Sequence, residues 1–227
     1  MSKGKYLETL SIDCVIFGFD EGELKILLIK RAGEPSKGKW ALPGGFVGKY
    51  EDLEESAKRI LEELTGLKDI YMEQFHTFGD VNRFPLRRVV SIAYYALIKI
   101  DAYNLKAAAN AEEVKWFPMS EVPSLAFDHS NILQAGFARL KQNVRHYPIG
   151  FELLPEKFTL TQLQTLYESV LSMPLDKRNF RKKILSMDLI VKLNESQTGV
   201  AHRAARFFKF DKKRYQELKS KGFVFEI

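Results

Sequence analysis

Up to residue 147, the chain alternates between short apolar runs and two amphipathic segments. Apolar residues three and four positions apart predict helices at Asp52–Thr65 and Asp128–His146, with Asp128 as the N-cap of the second helix. β-rich runs bounded by turn residues predict strands, and these strands span Thr9–Phe19, Leu24–Arg31, Tyr71–Val81, Arg88–Ile100 and Glu113–Pro118. Because each helix has one apolar face to bury, we expect a helix on each side of a sheet, an α/β fold of the α/β/α sandwich type.

A change of pattern at Tyr147–Gly150 predicts a domain boundary. Proline and glycine interrupt the preceding helical pattern there, and short, basic helical segments follow. We therefore predict a first domain at residues 1–147 and a second domain at residues 148–227.

The pattern of the second domain predicts two helices followed by a hairpin. Thr161 and Gln164 have the spacing of a capping box, and an apolar stripe continues to Leu171. Asp176 is expected to cap a second helix that continues through Val191, with one face turned inward. The inward residues are predicted to be Phe180, Ile184 and Leu185. With a strand at Arg203–Phe210 closing the hairpin, the arrangement is that of an α+β winged helix-turn-helix domain.

Charge is concentrated on this second domain. Between Asp176 and Arg214 there are twelve basic and four acidic residues, a net charge of +8 in a chain whose total is +6. A basic helix beside a basic wing indicates binding to a double-stranded DNA operator, in which arginines contact guanine edges and wing residues contact phosphates. The residues predicted to contact DNA are Lys177, Arg178, Arg181, Lys182, Arg203 and Arg206. A solvated basic face is the alternative; RNA binding is disfavoured because the A-form major groove is too narrow for a helix.

Composition narrows the class of protein. The apolar fraction of 45% and the charged fraction of 28% are typical of a globular protein, and no apolar run is long enough to cross a membrane. The single cysteine, Cys14, lies in a predicted strand and is expected to be a core residue of a cytoplasmic protein. We find no phosphate-binding P-loop, zinc-ligand spacing or Ser-His-Asp set, and we expect neither a cofactor, a bound metal nor a catalytic residue.

One stretch of the first domain, Trp40–Leu67, carries a specific motif. Gly44 and Gly45 are expected to form a flexible turn before the helix. The spacing that follows resembles the Nudix box, G-x5-E-x7-R-E-U-x-E-E-x-G-U, where U is bulky and aliphatic. The matching residues are Gly45, Glu51, Arg59, Leu61, Glu63, Gly66 and Leu67. In the family, the positions occupied here by Ile60 and Leu64 carry metal-binding glutamates, so the resemblance implies the Nudix fold for about residues 8–147 without efficient hydrolysis.

The second domain also resembles a known family. Residues 158–185, FTLTQLQTLYESVLSMPLDKRNFRKKIL, are similar to the winged helix of Nudix-related transcriptional regulators of the NrtR type. Many members sense ADP-ribose in the control of NAD synthesis, and a Bacteroidetes branch senses L-arabinose. Phe84-Pro85-Leu86-Arg87 stands where ADP-ribose-binding relatives often have D-P-R. This difference favours a sugar or sugar-derivative effector here, with an L-arabinose-like ligand first and ADP-ribose next.

The resemblance implies a homodimeric, ligand-responsive repressor, and the alternative is an active Nudix pyrophosphatase that acts on ADP-ribose-like nucleotides. The residues expected to bind the ligand are Gly45, Arg59, Glu63, Arg88 and Tyr94. Arg59 would pair with glutamates of the box, and Glu63 would accept hydrogen bonds from sugar hydroxyls. For Asp128 and His129, the simplest interpretation is a helix cap followed by an exposed histidine.

Overall fold

The computed structural model describes residues 5–108, 110–198 and 204–227. The chain divides into two compact units: unit 1 comprises the residues up to Gly18 and Lys25–Arg139, and unit 2 comprises Phe19–Leu24 and Leu140–Ile227. The domain boundary predicted after residue 147 stays a prediction. Across the described ranges, no helix is long and apolar enough to span a membrane.

Unit 1 is built on a mixed seven-stranded sheet. Its elements are β1 (Tyr6–Asp20), β2 (Glu23–Arg31), β3 (Trp40–Ala41), β4 (Gly44–Gly48), α1 (Leu53–Thr65), β5 (Glu73–Phe78), β6 (Val90–Ile98), β7 (Ala111–Pro118) and α2 (His129–His146). The strand order is β3-β2-β1-β6-β5, with β4 paired to β1 and β7 paired to β2. β1 and β6 are parallel, whereas β4, β5 and β7 pair antiparallel with their partners.

The two faces of β1 are covered by different helices. Ile12, Cys14 and Ile16 are buried in a core cluster that includes the apolar face of α1. On the opposite face, the ring of Phe17 packs against Phe137 of α2, with the ring centroids 6.3 Å apart. Because side chains of a strand alternate between faces, both helices are held by the same central strand. The predicted α/β/α sandwich is confirmed.

Helix α1 has a capping residue at each end. Asp52 caps it and forms a reciprocal capping box with Glu55, and Gly66 ends it in the left-handed conformation with φ of 76°. A side-chain cap stabilises a helix by about 1 kcal/mol, and glycine adopts positive φ without a Cβ penalty.

The prediction of a flexible turn at Gly44 and Gly45 is wrong, because both residues lie in β4 and pair with Asp13 and Ile12 of β1. A Cβ atom on Gly44 would overlap the Asp13 carboxylate. A Cβ atom on Gly45 would lie 3.2 Å from Cγ1 of Ile60. These glycines therefore allow β4 to pack closely against its neighbours.

Unit 2 contains two helices followed by a hairpin. Its elements are β8 (Phe158–Thr159), α3 (Leu160–Leu171), α4 (Lys177–Ser186), β9 (Ile190–Ser196), β10 (Arg206–Phe210) and α5 (Lys212–Ser220). The strands form a sheet of order β8-β10-β9. The predicted winged helix-turn-helix is confirmed, and α5 follows it.

The capping box of α3 lies two residues before the predicted one. Thr159 caps the helix and Gln162 bonds back to it. Thr159 takes the cap because it also pairs with Phe207 in the small sheet, which holds its backbone extended directly before the helix. The hydroxyl of Thr161 instead accepts a hydrogen bond from Arg181.

The second helix is shorter than predicted. Asp176 caps α4 as expected, but the helix ends at Ser186, and Asp188 takes a left-handed conformation with φ of 55°. The β-branched pair Ile190 and Val191 then enters the ladder with β10 instead of continuing the helix. The strand predicted to start at Arg203 begins at Arg206, and Arg203 lies outside the described residues.

The inward face of α4 is also narrower than predicted. Phe180 and Ile184 are buried, in agreement with the prediction. Leu185 is 50% exposed, so its prediction as an inward residue is wrong. The physical reason is helical geometry, since one step beyond Ile184 rotates the side chain by about 100° away from the core.

Candidate ligand cavity and DNA-binding surface

Unit 1 contains a cavity of about 210 Å³ beside strand β4. Its floor is formed by β1 and by the start of α2, and its wall by the loop at residues 83–89. Charged and aromatic side chains line it together with the aliphatic residues Leu42, Leu86 and Val89. An apolar lining with a few placed charges is typical of a small-molecule site.

A buried ion cluster forms the floor of the cavity. The guanidinium of Arg83 donates two hydrogen bonds of 2.8 Å to the carboxylate of Asp128 and one of 3.2 Å to Asp13. Ser91 donates a further bond of 2.6 Å to Asp13. The Arg83 side chain is only 4% exposed. The carboxylate of Asp128 therefore holds an arginine from the loop. Its role as the N-cap of α2 stays a prediction.

His129 extends this cluster and is buried, so the interpretation as an exposed histidine is wrong. Its Nδ1 accepts a hydrogen bond of 2.9 Å from the backbone N–H of Leu42. Its Nε2 lies 3.4 Å from the carboxylate of Asp13, which places the ring proton on Nε2 in the neutral tautomer. Burial lowers the pKa of His129, and the nearby carboxylates of Asp13 and Asp128 oppose that shift only in part.

The lowered pKa of His129 predicts a pH dependence of stability. The unfolded imidazole takes up a proton as the pH falls below about 6.5, whereas the buried ring does not, so the free energy of unfolding should fall over that range. His129→Gln should flatten this part of the curve, measured by urea denaturation from pH 5 to pH 8. Equal slopes in wild type and His129→Gln would contradict the prediction.

Two arginines lie on aromatic rings at the cavity. The guanidinium of Arg31 lies 5.0 Å from the ring centroid of Phe127, and that of Arg87 lies 5.0 Å from the centroid of Phe46. Phe84 contacts Phe127, with centroids 5.2 Å apart. Burial lowers the pKa of Arg31, but a guanidinium remains charged in proteins. Cations beside aromatic faces can bind a phosphate and stack a planar ring.

The Nudix-box residues form a network beside this cavity. Arg59 donates to Glu51 at 2.7 Å, to Glu63 at 3.2 Å and to the carbonyl of Phe46 at 3.1 Å. Its hydrogen bond to Glu51 lowers the pKa of that carboxyl. The predicted pairing of Arg59 with box glutamates is present. Within the part of the chain that the structure describes, no group of three or more His, Cys, Asp or Glu side chains is arranged to hold a metal ion.

The five residues predicted to bind ligand lie in different places. Gly45 lines the cavity. Arg59 and Glu63 belong to the box network, Arg88 donates to the carbonyl of Asp80, and Tyr94 is buried in the core beneath α1. The structure does not bring these five together, and their contact with a ligand stays a prediction.

Sequence reasoning missed Arg31, Arg83, Arg87 and Phe127 as cavity residues. Arg87 lies in the stretch Phe84–Arg87 that is compared with D-P-R, but no ligand contact is predicted for it. The sequence gives no local signal for Arg83, because its partners Asp13 and Asp128 are 70 and 45 positions away.

The predicted DNA-binding residues divide into three groups. Lys177, Arg178 and Lys182 are exposed on α4, and Arg206 is exposed on β10. Arg181 is half-buried and donates a hydrogen bond of 3.0 Å to Thr161, so it also ties α4 to α3. Arg203 lies outside the described residues. A direct contact with DNA stays a prediction for each of the six.

The two units together define a class of protein in which a ligand-binding domain is joined to a DNA-binding winged helix. A profile of the NUDIX domain matches residues 8–136, and a profile described as the NrtR DNA-binding winged helix domain matches residues 150–210. Over 205 residues, the chain is 37% identical to the ADPR responsive transcriptional repressor NtrR of Acinetobacter baylyi, and the match covers 88% of this chain and 81% of that protein. It is also 37% identical over 130 residues to the ADP-ribose pyrophosphatase of Methanocaldococcus jannaschii, a match that covers 57% of this chain and 76% of that protein.

Solved structures agree with this architecture. Shewanella oneidensis NrtR in complex with a 27mer DNA matches with a TM-score of 0.77 at 30% identity, covering 96% of this chain and 98% of that chain. The NUDIX domain of the same protein in complex with ADP ribose matches with a TM-score of 0.55 at 33% identity, covering 62% and 93% of the two chains. The chain belongs to the NrtR family of Nudix-related, DNA-binding transcriptional regulators.

Proposed function

We propose that this protein is a transcriptional repressor whose DNA binding responds to ADP-ribose, and that it does not hydrolyse that ligand efficiently. The observation that carries the proposal is the cavity of unit 1, which presents two guanidinium groups on aromatic rings. A nucleoside diphosphate sugar offers phosphates that the guanidinium groups can bind and a planar base that can stack on the aromatic rings. The full-length relative in Acinetobacter, named for its ADPR response, supports the same ligand.

This effector replaces the preference for a sugar. The preference for an L-arabinose-like ligand rested on Phe84-Pro85-Leu86-Arg87, and the relatives do not support it. Phe84 and Arg87 themselves line the cavity, where they add an aromatic face and a cation. A neutral pentose would use neither charge.

The divalent metal of Nudix hydrolases does not fit the residues present. Ile60 and Leu64 are buried in the core cluster, where the family has carboxylates. Glu51 is engaged by Arg59 and Ser56, and Glu63 by Arg59. A hard cation needs several oxygen ligands, and two aliphatic side chains supply none. We therefore derive no hydrolytic step, and the repressor function is preferred to the pyrophosphatase function.

Titrating ADP-ribose into a complex of the full-length protein with DNA tests the proposal. The DNA is the duplex that the protein enriches from a random pool, and fluorescence anisotropy follows the bound fraction. ADP-ribose should change DNA affinity, and L-arabinose should not. A response to L-arabinose alone would contradict the proposed effector.

Arg31→Gln should raise the ADP-ribose concentration needed for half the response by about tenfold or more, because it removes a charge-assisted contact worth about 1.5–3 kcal/mol. DNA affinity without effector should stay unchanged. Lys68→Gln is the control, since Lys68 is exposed, pairs with Glu62 and does not line the cavity. Equal responses of the two variants would exclude Arg31 from the effector site.

A hydrolysis assay separates the repressor from the alternative enzyme. The protein is incubated with ADP-ribose and Mg²⁺, and release of AMP is followed. We expect no turnover above the uncatalysed rate. Robust turnover that Glu63→Gln abolishes would support the pyrophosphatase instead.

We also infer that the protein binds DNA as a homodimer. Paired winged helices would match two half-sites of a pseudo-palindromic operator, and most soluble oligomers are symmetric dimers. Light scattering of the free protein and of its DNA complex gives the stoichiometry.

A further inference from the structure

The exposed face of α4 carries one apolar side chain among cations. Arg178, Lys182 and Leu185 follow each other at i, i+4 and i+7, which places them in one row on the helix. Phe180 and Ile184 are buried on the opposite face. Leu185 is 50% exposed, although the predicted pattern would have hidden it.

The charge around Leu185 indicates what the row contacts. Among the described residues, no carboxylate pairs with Arg178 or Lys182, and Lys183 is exposed beside them. Unpaired cations on a helix attract a polyanion, and a helix of this size fits the major groove of B-DNA. A second copy of the same basic face would be repelled by like charge.

The major groove offers one apolar group to such a side chain. Thymine presents a C5-methyl group there, whereas the other base edges present donors and acceptors. Phosphate contacts by the flanking cations would set the register of the helix and hold the apolar side chain at a fixed depth. A leucine at this position can therefore distinguish thymine from cytosine, which lacks the methyl group.

We propose that Leu185 contacts the methyl group of one thymine in each half-site of the operator and is a specificity-determining residue for DNA recognition. The proposal rests on DNA binding through α4. It assigns Leu185 a role different from that of Lys182, whose charge acts on phosphates irrespective of sequence.

Replacing single thymines with deoxyuridine tests the proposal, because this substitution removes only the methyl group. The full-length protein first enriches a duplex from a random pool, and anisotropy then gives the affinity for each deoxyuridine variant. At one thymine position in each half-site, a single deoxyuridine should lower wild-type affinity by about fourfold, the fold-change expected for one buried methyl group. Leu185→Ala should bind the thymine and deoxyuridine duplexes equally at that position.

Lys182→Ala is the matched control one turn away. It should lose affinity for all duplexes and show a smaller salt dependence, while it keeps the response to deoxyuridine. Wild-type protein that ignores every deoxyuridine, or Leu185→Ala protein that keeps the full response, would overturn the proposal. A changed mass of Leu185→Ala in light scattering, with the deoxyuridine response intact, would instead assign Leu185 to a contact between proteins.

Failure of DNA binding itself gives a different experimental result from failure of the role of Leu185. If the wild-type protein enriches no duplex at all, DNA binding itself fails and the role of Leu185 falls with it. If a duplex is enriched but no thymine methyl matters, only the role of Leu185 is overturned. The scan on wild-type protein needs no variant to fold, so it gives an answer in either case.

Discussion

Replacing Arg83 with methionine should lower the free energy of unfolding by about 3–5 kcal/mol, measured by urea denaturation at pH 7. The guanidinium is buried between the carboxylates of Asp13 and Asp128. Its removal leaves two carboxylates in a low-dielectric environment without a counter-charge, and that uncompensated charge is the main cost. The lost packing of the long side chain is small by comparison, because methionine retains much of its volume.

The neighbouring Arg88 offers a matched control on the same loop. Arg88→Met removes an exposed guanidinium that donates to the carbonyl of Asp80, and it should cost less than about 1 kcal/mol. The double variant Arg83→Met with Asp128→Asn should recover part of the loss, because one of the two unpaired charges is gone. Equal stability of the Arg83 and Arg88 variants would show that the ion cluster of Arg83, Asp13 and Asp128 does not stabilise the folded protein.

The same cluster explains why Arg83 matters for the cavity. Arg83 lies at the start of the loop that forms the cavity wall, and it fixes that loop to β1 and to the start of α2. We expect loss of this contact to weaken the response to ADP-ribose as well as stability. Measuring the free energy of unfolding and the ADP-ribose response of the double variant Arg83→Met with Asp128→Asn separates the loss of stability from the loss of the response.

The elements of unit 1 could be predicted because their signals are local. Hydrophobic periodicity located α1 and the strands, and Asp52 and Gly66 mark the ends of the helix with capping residues close in sequence. The ion cluster could not be predicted in this way. Arg83 bonds to a residue 70 positions before it and to one 45 positions after it, and only the fold brings them together.

In unit 2, contacts between residues distant in sequence likewise decide where helices begin and end. The capping box of α3 is predicted at Thr161 and Gln164, but it lies at Thr159 and Gln162. Pairing of Thr159 with Phe207, far along the chain, decides between the two positions. In the same way, the ladder that includes Ile190 ends α4 early. These errors arise where a tertiary contact overrides a local preference.

The pattern of the Nudix box located α1 and the pairing of Arg59 with Glu51 and Glu63. The loss of a metal site, which the aliphatic residues at positions 60 and 64 indicate, stays a prediction. The structure adds that both side chains are part of the packed core. Ile60 lies close to Gly45, so its side chain helps to pack α1 against β4.

Restoring glutamate with Ile60→Glu and Leu64→Glu should therefore destabilise the protein by about 4 kcal/mol or more in the absence of metal. Ile60 is 2% exposed and Leu64 is 6% exposed, so each substitution places a carboxyl group in an apolar environment. Burial would raise the pKa of both carboxyls, and the loss should grow from pH 5 to pH 8 as the unfolded chain ionises. Urea denaturation across this pH range measures both effects.

The matched control is the pair Ile60→Gln and Leu64→Gln, which is equally polar but cannot ionise. It should be destabilised without the added pH dependence. Mg²⁺ should recover part of the stability of the glutamate pair alone, because carboxylates one turn apart with Glu63 between them can bind a hard cation in the folded state only. If Mg²⁺ stabilises the wild-type protein as strongly as the glutamate pair, then Ile60 and Leu64 do not separate this regulator from the hydrolases, and its metal site lies elsewhere.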